Sequence, residues 1–165
     1  MVEKDNEAKG VLIDLDLAIL ANGEATLQCR PAIGGTLPFL SVDLLLDAPP
    51  LRHMYRYDLE SFIWVLAWIL IRFNEDGVEI NPSGLSGWYT GTRNEMRYRK
   101  LGFFPWPFGN SAIRFPSLQE SWLKRLGRLF HVGYRMRENK SVTSAFDDET
   151  LGGCVTYDSF LEILQ

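Results

Sequence analysis

The chain has 165 residues, about one domain's worth, with 46% hydrophobic and 23% charged residues, a composition that excludes general disorder and supports a sizeable core. Its net charge of -4 argues against nucleic acid as a main partner, since phosphate binding wants a basic surface. The polar, acidic start Met1-Val2-Glu3-Lys4-Asp5-Asn6-Glu7 is not a signal peptide, so the expected location is intracellular, cytoplasmic or nuclear.

Residues 1–9 read as a polar N-terminal tail. Gly10-Val11-Leu12-Ile13-Asp14 is a short apolar run ending in an acid, the pattern of a strand that delivers a carboxylate to its end. Residues 19–37 hold Gly23, Pro31, Gly34 and Gly35 and no sustained period, which reads as a long loop. A short helix is expected over Phe39–Leu46, stopped by Ala48-Pro49-Pro50.

The main helix is expected from Tyr57 to Phe73, with Asp58 at its N-cap. Its ten consecutive apolar residues, Phe62 to Ile71, are too few for a membrane span, which takes roughly 20. They predict a central core helix buried all round. A second helical stretch is expected from Ser86 to Lys100, with Arg93, Arg97, Arg99 and Lys100 forming a solvated basic face. Phe103-Phe104-Pro105-Trp106-Pro107-Phe108 forms an aromatic, proline-rich linker that packs on the core.

Ser117 followed by Glu120 predicts a capping box for a third helix, lined by Leu118, Trp122, Leu126, Leu129, Phe130 and Val132. Residues 137–155 read as a loop. A last short helix is expected over Tyr157–Leu164. The fold class that results is mainly α: a small hairpin or strand plus four to five helices around a buried central one. Cys29 and Cys154 have no metal-ligand spacing. His53 and His131 read as ordinary surface or partly buried residues.

Three pieces carry a resemblance. Ile13-Asp14-Leu15-Asp16-Leu17-Ala18 is similar to the kinase Ile-Asp-Phe-Gly-Leu-Ala, with Asp16 for Gly. Gly35-Thr36-Leu37-Pro38-Phe39-Leu40-Ser41-Val42-Asp43 resembles the end of a kinase activation segment, Asp43 standing where Glu is usual. Tyr57-Asp58-Leu59-Glu60-Ser61-Phe62 resembles the head of the helix that runs through the large lobe of a kinase. Together they resemble the fungal-type protein kinase family, which has Ile-Asp-x-Asp-Leu-Ala and His-Asp-Leu-Glu-Ser-Phe; Tyr57 departs from that His.

The resemblance covers residues 10–165 and implies a kinase-like large-lobe portion from the Asp-x-Asp motif onward. It implies ATP-dependent phosphorylation of protein Ser/Thr, with Mg-ATP as cofactor and a protein substrate or partner. Asp14 then corresponds to a vestigial Mg²⁺ ligand and Asp16 to a second ligand or a loop carboxylate. Gly35, Thr36 and Asp43 correspond to the activation segment. Asp43 is expected to pair with an arginine late in the lobe, Arg135 or Arg137. Asp58 corresponds to a position that holds the catalytic-loop backbone, though the helix N-cap is the expected role here. A kinase also needs a Gly-rich loop, a strand Lys, and a catalytic Asp and Asn. Those precede the Asp14 position, and only thirteen residues do so here. The expectation is therefore a portion inactive alone, binding no cofactor. Two further readings stand beside it: a non-catalytic protein-interaction module, and an Asp-x-Asp phosphohydrolase built on Asp14 and Asp16. The second lacks the βαβ alternation it would need.

Overall fold

The computed structural model describes residues 35–48, 52–80, 85–105, 115–141 and 145–165. They fall in one compact unit, Ile33–Gln165. The expected strand at Gly10–Asp14 lies outside them, as do Asp14, Asp16 and Cys29. Among the described residues the architecture is mainly helical, and strand pairing is limited to an isolated antiparallel bridge between Phe73 and Glu79.

The expected helix over Phe39–Leu46 is two 3-10 turns, Leu37–Phe39 and Asp43–Leu45. Pro38 sets the first turn, and the extended backbone of Leu40 ends it before an α-helix can propagate. Helix α1, Tyr55–Arg72, has neither Gly nor Pro across its 18 residues. It starts earlier than expected: Met54 is the extended N-cap, and Asp58 sits inside the first turn. Arg56, Tyr57, Glu60, Ile63, Trp64, Ala67 and Leu70 are buried. Phe62, Val65 and Ile69 on the other side are 43%, 37% and 46% exposed. The helix is thus a two-faced element, not one buried all round, and its most deeply buried face is part polar.

After α1 the chain reverses through Asn74. Its side-chain oxygen accepts the Asp76 and Val78 amides, while Gly77 takes φ +74°. The second expected helix is split. Ser86–Trp88 is a 3-10 turn, and Gly91 at φ +99° separates it from α2, Arg93–Phe103. Thr92 and Glu95 form the capping box that opens α2.

The third expected helix is composite. Pro116–Leu118 (α3) leads through a π-helical turn, Gln119–Leu123, into α4, Lys124–Glu138. The Ser117–Glu120 capping box does not form. Pro116 occupies the first turn, where its missing N–H costs nothing, and Glu120 pairs with Lys124 instead. Helix α5, Tyr157–Leu164, opens on a Thr156–Ser159 box and buries Phe160 and Ile163.

The core is aromatic. Trp64 meets Trp88, Phe103 and Phe104 edge-on or tilted, at 5.1, 5.8 and 4.8 Å between centroids. Phe104 stacks on Phe130 at 5.7 Å. Gly133 of α4 admits the loop before α5. A Cβ there would lie 2.6 Å from Leu151 Cβ, and Leu151 itself is fully buried at φ 51°.

Candidate functional site

Residues 40–43 end up fully or almost fully buried although two of them are polar: Leu40 is 4% exposed, Ser41 and Val42 0%, Asp43 1%. Buried backbone and carboxylate groups need partners. Three helices supply them.

Asp43 takes two arginines. Arg56 of α1 donates from Nη2 to Oδ2 at 2.5 Å. Arg137 of α4 donates to both carboxylate oxygens at 2.7 Å, a bidentate fork. Of the two arginines expected from the sequence, Arg137 is the partner; Arg135 faces Glu138 on the exposed side of α4. Burial works to raise the Asp43 pKa, but the hydrogen bonds and charges of Arg137 and Arg56 outweigh it and hold the carboxyl below its ordinary value. Arg56 is itself 1% exposed and also donates to the Asp148 carbonyl at 2.6 Å.

Glu60, one turn beyond Arg56, is 0% exposed. Its carboxylate accepts from the Val42 amide at 2.7 Å, Trp64 Nε1 at 3.2 Å and the Tyr134 hydroxyl at 2.6 Å. Burial pushes its pKa up, and the hydrogen bonds from Tyr134 and Val42 hold that rise back. Lys100 of α2 is also 0% exposed. Its ammonium donates to the Leu40 carbonyl and lies 4.7 Å over the Trp64 ring and 5.8 Å from that of Trp88. Burial lowers the Lys100 pKa, with the Glu60 charge opposing.

The expected solvated face of α2 is therefore corrected at two positions: Arg97 is half-buried and Lys100 fully buried. Lys100 points inward, four residues from buried Met96, while Arg93 and Arg99 remain outside. The signals that could have found Glu60 and Lys100 are Arg56–Glu60 and Met96–Lys100 at i, i+4 on faces that also carry core residues.

The other expected residues are placed as follows. Gly35 is exposed at φ 130°, with Leu40 packed where a Cβ would stand. Thr36 precedes the first 3-10 turn, makes no side-chain cap there, and is exposed. Asp58 is not a helix N-cap, because the helix begins three residues before it. Its carboxylate, 70% exposed, meets His53 Nε2 at 3.1 Å. The hydrogen bond that His53 donates to Asp58 raises the His53 pKa, with burial opposing. Among the described residues no group of His, Cys, Asp and Glu has the arrangement to hold a metal ion, so no donor set for Mg²⁺ is found there. No helix of the described residues is long and apolar enough to cross a membrane.

The chemistry this arrangement supports is mechanical. It fixes a short segment from both its charged side chain and its backbone. Residues 1–70 match the family model described as fungal protein kinase. That stretch contains Asp14, Asp16, the Gly35–Asp43 segment, Asp58 and most of α1. No curated protein and no solved structure matches the chain.

Proposed function

We propose that these residues form the large-lobe portion of a fungal-type protein kinase, in which Gly35–Leu45 is the end of the activation segment and α1 is the helix that carries it. The observation that supports this most is Asp43, an acid buried behind a Gly-Thr-x-Pro stretch and gripped by an arginine 94 residues further on. The family match over residues 1–70 supports it independently. In a complete enzyme of this family the segment would be the platform on which a protein Ser/Thr substrate is presented to ATP. The platform needs no chemistry of its own: its work is positional, and positional precision is worth orders of magnitude in rate.

On this reading the described residues position the segment and carry no phosphate-transfer chemistry of their own, the Gly-rich loop, lysine, catalytic Asp and Asn of the reaction not being assigned among them. Asp14 and Asp16 are assigned as residual metal-site carboxylates. Thermal unfolding with and without Mg-ATP tests this, since a ligand of the native state raises Tm. The expected result is no shift. An upshift of several degrees overturns the inactive-platform reading.

A second reading, a protein-interaction module of an intracellular protein, is favoured by one observation. Phe62, Val65 and Ile69 of α1 and Tyr157 and Leu161 of α5 are all exposed apolar side chains. Sizing at increasing concentration tests it: a strictly monodisperse monomer counts against a self-associating face.

A further inference from the structure

The Leu40–Val42 backbone is held at two points by groups that differ from everything around them. Asp43, next along the chain, is held by guanidinium groups, which stay charged at any ordinary pH. The Val42 amide and the Leu40 carbonyl instead depend on Glu60 and Lys100, a carboxyl and an amine sealed from solvent, one at the N–H edge of the Trp64 indole and the other over its ring face. No direct ion pair within 4.0 Å joins these two groups; both touch the indole, which donates to Glu60 from its N–H and meets Lys100 with its ring face.

We infer that Glu60 and Lys100 form a proton-linked latch on the Leu40–Val42 backbone, seated when Glu60 is a carboxylate and Lys100 an ammonium, and loosened when either changes its charge. The geometry gives the reason. Three donors converge on Glu60: the Val42 amide, the Trp64 indole and the Tyr134 hydroxyl. An ionised carboxylate, which only accepts, satisfies all three, whereas a protonated one turns one oxygen into a donor. Lys100 without its proton loses the cation–π attraction of Trp64 and Trp88 and the charge on its hydrogen bond to Leu40.

The groups facing the pair do not themselves switch near neutrality. Asp43 stays ionised between Arg56 and Arg137. Tyr134 and Tyr57 are driven upward by burial, away from neutral pH. Burial drives Glu60 up and Lys100 down, so the two move toward each other across the neutral range.

The test is amide hydrogen exchange of Val42 by NMR on the whole chain, corrected for the intrinsic rate, across the pH range in which the protein stays folded. The amide of Phe130 serves as the reference for global unfolding. The expected protection of Val42 passes through a maximum and falls on both sides, with limiting slopes of about tenfold per pH unit, the signature of single-proton steps. Glu60→Gln should flatten the acid limb alone, and Lys100→Met the alkaline limb alone. If either variant fails to fold, the Trp64 indole N–H shift in the unmodified protein replaces it and should titrate with the acid limb. A flat Val42 profile, limbs that persist in both variants, or an indole shift that does not titrate would each overturn the latch.

Discussion

Two buried regions meet at Tyr134, and they are held by opposite means. The corner around Asp43 is ionic and partner-specific: three side chains from two helices and a turn, each placed to within hydrogen-bond distance. The region around Phe104 and Phe130 is aromatic and held by area and shape. Removing one partner in the first leaves charges stranded in a dry interior. Trimming the second loses contacts in proportion to what is removed. The Leu40–Asp43 segment is tied to the first kind of packing, which fixes a position more sharply than apolar contact does.

The largest effect that would break this comparison is a change of charge without a change of shape. Asp43→Asn should cost about 3–5 kcal/mol in denaturant unfolding, because Arg56 is left buried without a counter-charge and Arg137 keeps only Asp148, at 3.9 Å. The same pair sets an acid limit. The folded pKa of Asp43 lies below its unfolded value, so its contribution is present above the unfolded value near 3.8 and is lost as pH falls through the folded one. Asp43→Asn should remove that part of the acid dependence, seen as a shallower fall in Tm below pH 4.

Next is Gly133→Ala. The new methyl would meet Leu151 Cβ at 2.6 Å and its carbonyl oxygen at 3.2 Å. Helix propensity alone would favour Ala, yet the expected result is a loss of about 1–3 kcal/mol from overpacking. A gain in Tm would show that the loop yields easily. Phe104→Leu, in the aromatic region, keeps an apolar group in place but leaves part of the ring's space empty, and should cost about 1–2 kcal/mol. If it costs as much as Asp43→Asn, the two regions are not held differently.

The smallest effect is at His53, a partly exposed neighbour of exposed Asp58. Its folded pKa is raised, so its contribution is present below the unfolded value near 6.5 and lost as pH rises through the folded one. Solvent screening keeps His53→Ala within a few tenths of a kcal/mol. Paired unfolding curves at pH 5.5 and 8.5 check the sign.

Much of the local structure was legible from the sequence. The α1 and α5 segments follow from apolar content and the absence of breakers. Asp43 with Arg137 was legible because the resemblance to kinases names an acid that needs a late arginine. Arg56 and Glu60 were not, because the apolar run beside them invited a helix buried all round, and their partners lie up to 92 residues away. Lys100 was hidden by its basic neighbours. Only the packing of α2 against residues 40–45 turns it inward. Asp58 was misread because propensity does not mark a helix start at Met54, whose side chain makes no cap. Asp14 and Asp16 lie outside the described residues, so the structure adds nothing to what the sequence says of them.

The central claim is that Asp43 and the arginine of α4 act as one unit to seat the Gly-Thr-x-Pro segment. A double-mutant cycle on Asp43→Asn and Arg137→Met measures it directly by denaturant unfolding. A coupling of at least about 1.5 kcal/mol, toward the middle of the range for groups in one ion-pair network, is the predicted result. Additive losses, with a coupling near zero, would contradict it.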